Sequence, residues 1–282
     1  MKLTQFTHAH LKVLNTELEK KTLQEVLLWT TKISGKVALT ATGGLGGSIL
    51  AREFDQIGKI DKVSGFFINT GEDRVMKETR KALTQFQLQY GLRIIELMAP
   101  SSELERTKDF YLDRDKTEEC CKVRKSDPYE VFPFIENGYE VILNGRNNVS
   151  GRAGVSVVEI DERKKMLKVN PLVVLDEAAF YEHVKLPSLV INEAMIPDLE
   201  QKYVRGNPGC STCTAKLSDE EVKGLTELEI RDKTRFPLHP THLYCGMHQS
   251  GESMTMKDSN FRKLFKTLKI EVPDENLILG EI

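Results

Sequence analysis

Lys36-Val-Ala-Leu-Thr-Ala-Thr-Gly-Gly-Leu-Gly-Gly-Ser48 is the stretch that decides the fold. Lys36 to Ala41 is a short apolar run, Thr42 to Ser48 is a glycine cluster, and Ser48 to Gln56 has helical spacing. A strand that breaks through a Gly-rich turn into a helix leaves backbone N–H groups pointing at one spot, a natural anion cradle. Thr42, Gly43 and Gly44 are therefore candidate phosphate contacts. The same pattern recurs downstream. Val63 to Asn69 reads as a buried strand closed by Thr70-Gly71, and Arg93 to Met98 as a third strand. Between them, Asp73 is a candidate N-cap for a helix that ends at Tyr90-Gly91. Tyr139 to Asn144 reads as a fourth strand, closed by Gly145. Strands alternating with helices predict an α/β fold with a parallel sheet flanked by helices. Ligands of such sheets sit at the carboxyl ends of the strands. Three strand ends carrying glycine place one crevice there.

The flanking regions are less regular. Residues 8 to 33 read as one helix, with Leu11, Leu14, Leu18, Leu23, Val26 and Leu27 at helical spacing. Val155 to Ile160 and Met166 to Val169 suggest a hairpin across the charged turn Asp161 to Lys165. Asp176 to Val184, Asp219 to Asp232 and Lys257 to Lys269 read as helices; the last carries Phe261, Leu264, Phe265 and Leu268 on one face. No repeat or linker interrupts the chain. The expected organisation is one domain over residues 1–250 and a C-terminal extension over 251–282.

The 282 residues are 40% hydrophobic and 29% charged, which excludes collagen-like, low-complexity and mostly disordered classes. A net charge of −2 argues against bulk nucleic-acid binding. No apolar run approaches the roughly 20 residues a membrane helix needs. Residues 1 to 12 are too polar for a secretory signal, so a cytoplasmic location is expected.

Five cysteines cannot all pair internally, and in a reducing compartment cysteines are more often metal ligands or nucleophiles. They fall as the adjacent pair Cys120-Cys121, the C-x-x-C of Cys210 and Cys213, and Cys245 alone. The first four could supply soft thiolates to zinc or to an iron–sulfur cluster. Ordinary buried thiols are the alternative. The spacing is wrong for a zinc ribbon.

Glu119-Cys-Cys-Lys-Val-Arg-Lys125, followed by Asp127-Pro128, resembles the C-C-x-x-R-K-x-x-P segment of assimilatory adenylyl-sulfate (APS) reductases. Pro208-Gly-Cys-Ser-Thr-Cys-Thr214 resembles their G-C-x-P-C-T segment, and Cys245-Gly-Met-His248 their C-terminal C-G-L-H. Phe67-Ile-Asn-Thr-Gly71 is similar to the L-D-T-G strand end, and Val169-Asn-Pro-Leu172 to W-N-P-L. The resemblance covers roughly residues 20 to 248.

The resemblance implies an adenine-nucleotide alpha-hydrolase-like (PP-loop-like) fold. It implies reduction of adenylyl sulfate, or its 3′-phosphorylated form, to sulfite and a nucleotide. Cys245 would be the nucleophile and His248 its neighbour in catalysis. Cys120, Cys121, Cys210 and Cys213 would hold a [4Fe–4S] cluster. Thr70 and Gly71 would contact adenosine. Lys125, Arg146, Arg152 and Arg235 would neutralise sulfate and phosphate, whose negative charge repels an attacking thiolate. The extension contains no cysteine, so a thioredoxin- or glutaredoxin-like dithiol is the implied donor. Assembly into a homo-oligomer is left open.

The sequence departs from the family in several places. Gly46 or Gly47 stands where an acidic residue is common, and Asn69 replaces the usual Asp. The Gln near Arg146 is missing, and so is the tryptophan run near Arg235, since Trp29 is the only Trp. Two rivals follow: an ATP-dependent sulfur-transfer or tRNA-thiolation enzyme of the same fold, and a non-catalytic nucleotide-binding cluster protein.

Overall fold

The computed structural model describes residues 2–71, 77–149, 155–161, 164–192, 220, 223–226, 229, 250–251, 253–271 and 279–281. Their centre is a sheet built from β2 (Lys36–Thr40), β3 (Val63–Asn69), β4 (Arg93–Met98), β5 (Tyr139–Leu143), β6 (Val158–Asp161), β7 (Met166–Val169) and β8 (Ser250–Gly251). The spatial order is β4-β3-β2-β5-β7-β6-β8. The pairings β4–β3, β3–β2, β2–β5 and β5–β7 are parallel, while β6 pairs antiparallel with both β7 and β8. The expected hairpin is thus present, and it extends the parallel sheet at one side.

Central strands buried on both faces read as continuous apolar runs. Val37, Ala38 and Leu39 of β2 are all buried. One face joins a large core with α1 (His8–Leu18), α2 (Leu23–Ile33), α3 (Leu45–Gln56), α4 (Lys77–Tyr90) and α8 (Glu177–Val184). The alternate positions Ala38, Phe66 and Ile142 join a smaller cluster with Tyr129, Phe134, Tyr139 and Met166. That second face is covered by α6 (Thr117–Cys121), a π-turn (Lys122–Ser126) and α7 (Asp127–Val131), preceded by α5 (Ser101–Arg106).

The helix expected over 8–33 is two helices. Thr22 starts the second one: its hydroxyl accepts from the Glu25 amide at 3.2 Å, and the Glu25 carboxylate accepts from the Thr22 amide at 2.8 Å. This reciprocal capping box satisfies two donors that an uninterrupted helix would not leave free. The helix after the glycine cluster begins at Leu45, not Ser48, because Gly44 is its N-cap. The expected cap Asp73 and nearly all of the helix expected over Asp219–Asp232 lie outside the described residues.

Within the segment expected as an extension, the described residues 254–257 and 279–281 are joined to the beginning of the chain. β9 (Met254–Lys257) and β10 (Leu279–Glu281) flank β1 (Lys2–Phe6) in an antiparallel three-stranded sheet. α9 (Asp258–Leu268) buries Phe261, Leu264 and Phe265 in the main core. Three such side chains contribute on the order of 5–9 kcal/mol of apolar burial before entropy costs. The Trp29 indole N–H also donates to the Leu264 carbonyl at 3.2 Å.

β2, β3 and β4 are laid down in one direction, and the chain then returns to place β5 on the other side of β2. The β2–β5 boundary is therefore the switch point at which open α/β sheets form their ligand crevice. The N-terminus of α3 meets the loop after β5 there, backbone against backbone. A Cβ at Gly46 would lie 2.7 Å from Gly145 Cα, and a Cβ at Gly145 would lie 2.7 Å from the Gly46 carbonyl carbon. Gly46→Ala should destabilise the protein by about 1–3 kcal/mol through this overlap. A thermal midpoint equal to wild type would show that the two segments separate freely.

Candidate active-site crevice

The glycine-bearing ends of β3, β2 and β5 lie side by side, because these strands are consecutive neighbours in the sheet. Thr42, Gly43 and Gly44 leave the middle strand. Gly43 has φ +74°, a left-handed conformation that glycine adopts without cost. Gly43 is walled by α4 and a later loop: a Cβ there would meet the Asn192 amide at 3.1 Å and the Thr79 methyl at 3.2 Å. Asn192 donates to the Thr79 hydroxyl at 3.1 Å, which fixes that wall. The first turn of α3 contains no acidic residue. Its N-terminal N–H groups therefore present uncompensated positive dipole to the crevice.

Thr70 and Gly71 leave the first of the three strands. Thr70 is buried and Gly71 has φ +112°. The Gly71 amide donates to the Asn69 side-chain oxygen at 2.9 Å, an Asx-type turn that shapes this rim. The Asn69 amide nitrogen donates to Glu96 at 2.5 Å.

Arg124, a residue of the C-C-x-x-R-K segment to which the sequence reading gives no role, ties this rim to the cysteine-bearing helix. It is buried, and its guanidinium donates to the Thr70 carbonyl at 2.7 Å, to the Thr107 hydroxyl at 2.8 Å and to the Leu104 carbonyl. A Cβ at Gly71 would come within 2.9 Å of Arg124 Nη1, so the glycine also makes room for the guanidinium. Lys125 follows on the π-turn and is half-buried. Single π-turns inserted in α-helices recur at functional sites. Cys120 is buried and Cys121 is half-buried at the end of α6. Adjacent helical residues point about 100° apart, which accounts for the difference. The donor chemistry is right for a soft metal or an iron–sulfur cluster. Among the described residues, no group of three or more His, Cys, Asp or Glu is gathered to hold a metal ion.

Asn144 follows the third of these strands. Thr40 Oγ1 lies 3.2 Å from the Leu143 carbonyl and 3.3 Å from the Asn144 side-chain oxygen, and the Asn144 amide nitrogen is buried with no hydrogen-bond partner among the described residues. Arg146 follows and lies 3.7 Å from Glu159. The structure thus brings together Thr42, Gly43, Gly44, Thr70, Gly71 and Arg146 at one sheet edge. Arg124 fastens the segment carrying Cys120, Cys121 and Lys125 to that edge. Arg152, Cys210, Cys213, Arg235, Cys245 and His248 lie outside the described residues. Sequence reasoning missed Thr79 and Asn192, whose only signal is their place in the fold. A separate cavity of about 560 Å³, lined by Phe132, Phe134, Met254 and Met256 among others, contains none of the expected site residues.

No protein-family profile matches the chain. It is 27% identical over 214 residues to the adenosine 5′-phosphosulfate reductase of Rhodococcus erythropolis, covering 71% of this chain and 81% of that one. It is 25% identical over 235 residues to the adenosine 5′-phosphosulfate reductase of Staphylococcus haemolyticus, covering 80% and 90%. The crystal structure of the phosphoadenylyl-sulfate reductase from Candida auris superposes with a TM-score of 0.56 at 22% identity, over 69% of this chain and 93% of that one. That likeness shows the fold, which is the PP-loop-like type expected from the sequence.

Arg124→Lys keeps the charge but loses the three-pronged fork. Hydrogen bonds from a charged donor are worth about 1.5–3 kcal/mol each, so the variant should lose roughly 2–4 kcal/mol in chemical denaturation. Wild-type stability in this variant would mean that the strut does not hold the helix.

Proposed function

We propose that this chain, which belongs to the adenylyl-sulfate and phosphoadenylyl-sulfate reductase family, reduces adenylyl sulfate to sulfite and AMP in sulfate assimilation. The observation that carries the reading is the junction of Thr70 and Arg124. It joins a nucleotide-type crevice to the segment bearing Cys120, Cys121 and Lys125.

The proposed chemistry follows from charge. The sulfuryl group is anionic, so thiolate attack needs cations around it. The N-terminus of α3 would hold the phosphate oxygens with the amides after Gly43 and Gly44. Arg146, Lys125, Arg152 and Arg235 would take the remaining oxygens. The Cys245 thiolate would attack sulfur and form an S–S bond. The bond between sulfur and the bridging oxygen would break, with its electron pair leaving on AMP. A thioredoxin-type dithiol would then attack Cys245 Sγ and release sulfite with the pair from the S–S bond. Its second thiol would free Cys245 and leave the donor as a disulfide. His248, three residues on, would help keep Cys245 deprotonated.

Cys120, Cys121, Cys210 and Cys213 would together hold a [4Fe–4S] cluster. When bound, such a cluster supplies fixed charge beside the crevice and cross-links two distant parts of the chain, without net electron transfer. A dithiol donor calls for a reducing compartment, and the cytoplasm is the proposed one. No helix among the described residues is long and apolar enough to cross a membrane.

Anaerobically purified protein should be brown, with a broad absorbance near about 400 nm from thiolate-bound iron. A colourless protein that binds only zinc would sink the cluster assignment while leaving the reductase reading open. Cys245→Ser should abolish sulfite release from adenylyl sulfate with added thioredoxin, yet retain AMP binding. Turnover by that variant would remove Cys245 from the mechanism.

A further inference from the structure

Arg146 poses a problem that its neighbours resolve. Its guanidinium lies 3.7 Å from Glu159 Oε2. A carboxylate at that distance would cancel much of the attraction the arginine offers an anion. That same oxygen, however, is paired with the Lys168 ammonium. Glu159 and Lys168 are cross-strand partners of β6 and β7, held in register by the hairpin. The contact is an ion pair rather than a well-directed hydrogen bond.

Burial separates the roles of the three groups. The Lys168 side chain is 0% exposed, Glu159 is 11% exposed and Arg146 is 23% exposed. Burial pushes the Lys168 ammonium below its ordinary range, Glu159 holds it up, and Arg146 opposes it again. Asp161 also acts on Lys168. It lies further along β6, where it accepts from the Tyr129 hydroxyl at 3.3 Å and from the Lys164 amide at 3.1 Å, with the Lys164 ammonium as its own countercharge. Arg146, Glu159 and Lys168 therefore form a set of net charge +1, and Arg146 is its most exposed member.

We infer that Lys168 and Glu159 are positioning residues for anion binding: Lys168 neutralises Glu159 from beneath, and Glu159 orients Arg146 without discharging it. This deepens the proposed function, since it rests on Arg146 contacting the phosphate or sulfate of the substrate.

The test is isothermal titration of the full chain with AMP at fixed ionic strength. Lys168→Met leaves Glu159 to pair with Arg146 alone, and AMP affinity should fall about tenfold. Lys168→Met combined with Glu159→Gln removes both buried charges and should restore affinity to within about threefold of wild type. A merely structural role predicts the opposite, a double variant no better than the single one. Arg146→Gln is the reference. If it binds AMP as wild type does, the contact between Arg146 and the ligand fails, and the inference fails with it. If Arg146→Gln weakens binding but Lys168→Met does not, the inference is overturned and the proposed function stands. Should Lys168→Met not fold, Lys168→Gln takes its place in the comparison with the double variant. Weaker AMP binding by the single variant than by the double supports the assignment, and equal binding overturns it.

Discussion

The contact between Gly46 and Gly145 is the constraint around which the crevice is built. It lies where the order of the sheet reverses, between β2 and β5, and it brings the first turn of α3 onto the loop that follows β5. No side chain fits at either position. Of the two positions at which the resemblance expects an acidic residue, Gly46 is closed to any side chain by this packing, while a Cβ at Gly47 would meet the Thr40 carbonyl oxygen at 3.3 Å. The placement of Arg146 one residue beyond the contact follows from how the backbone closes.

A second constraint acts from the other side of the sheet. Arg124 is a buried cation that spends its donors on Thr70, Thr107 and Leu104. An uncompensated buried charge would be costly, and carbonyl and hydroxyl oxygens satisfy it here. The result is rigid spacing between the Thr70 rim and the helix end that carries Cys120 and Cys121. Arg124 and Lys168 thus act from within, through the groups they touch, while Lys125 and Arg146 are the less buried cations. This division lets a chain of net charge −2 assemble cations at one edge.

Much of the fold was legible in the sequence, for identifiable reasons. The central strands β2, β3 and β5 announced themselves because they are apolar runs that lead into glycine, whereas β4, exposed along much of its length, carries no such ending. The hairpin of β6 and β7 was legible from its charged turn. The break between α1 and α2 was not seen because apolar spacing continues across it; the signal was the T-x-x-E pattern of Thr22 and Glu25, which registers only when the capping geometry is sought. The union of β1 with β9 and β10 joins the two ends of the chain, and no local pattern encodes such a pairing. In the site, glycines and the cysteine motif were readable because their chemistry is local. The wall of Thr79 and Asn192 was not, since each acquires its place only through folding. Neither was the ion-pair set of Glu159 and Lys168, which sequence presents as two unremarkable strand residues.

Asn69 shows how the departures from the family pattern hold together. An Asp at this strand end would face Glu96 across the β3–β4 pair and repel it. Asn69 instead accepts from the Gly71 amide and donates to Glu96, two roles that a carboxylate cannot combine. Glu96 Oε1 also lies 3.5 Å from the Arg80 guanidinium, which compensates its charge. With an amide at position 69, this strand end carries no carboxylate of its own, and the carboxylate beside it, Glu96, is engaged by both Asn69 and Arg80.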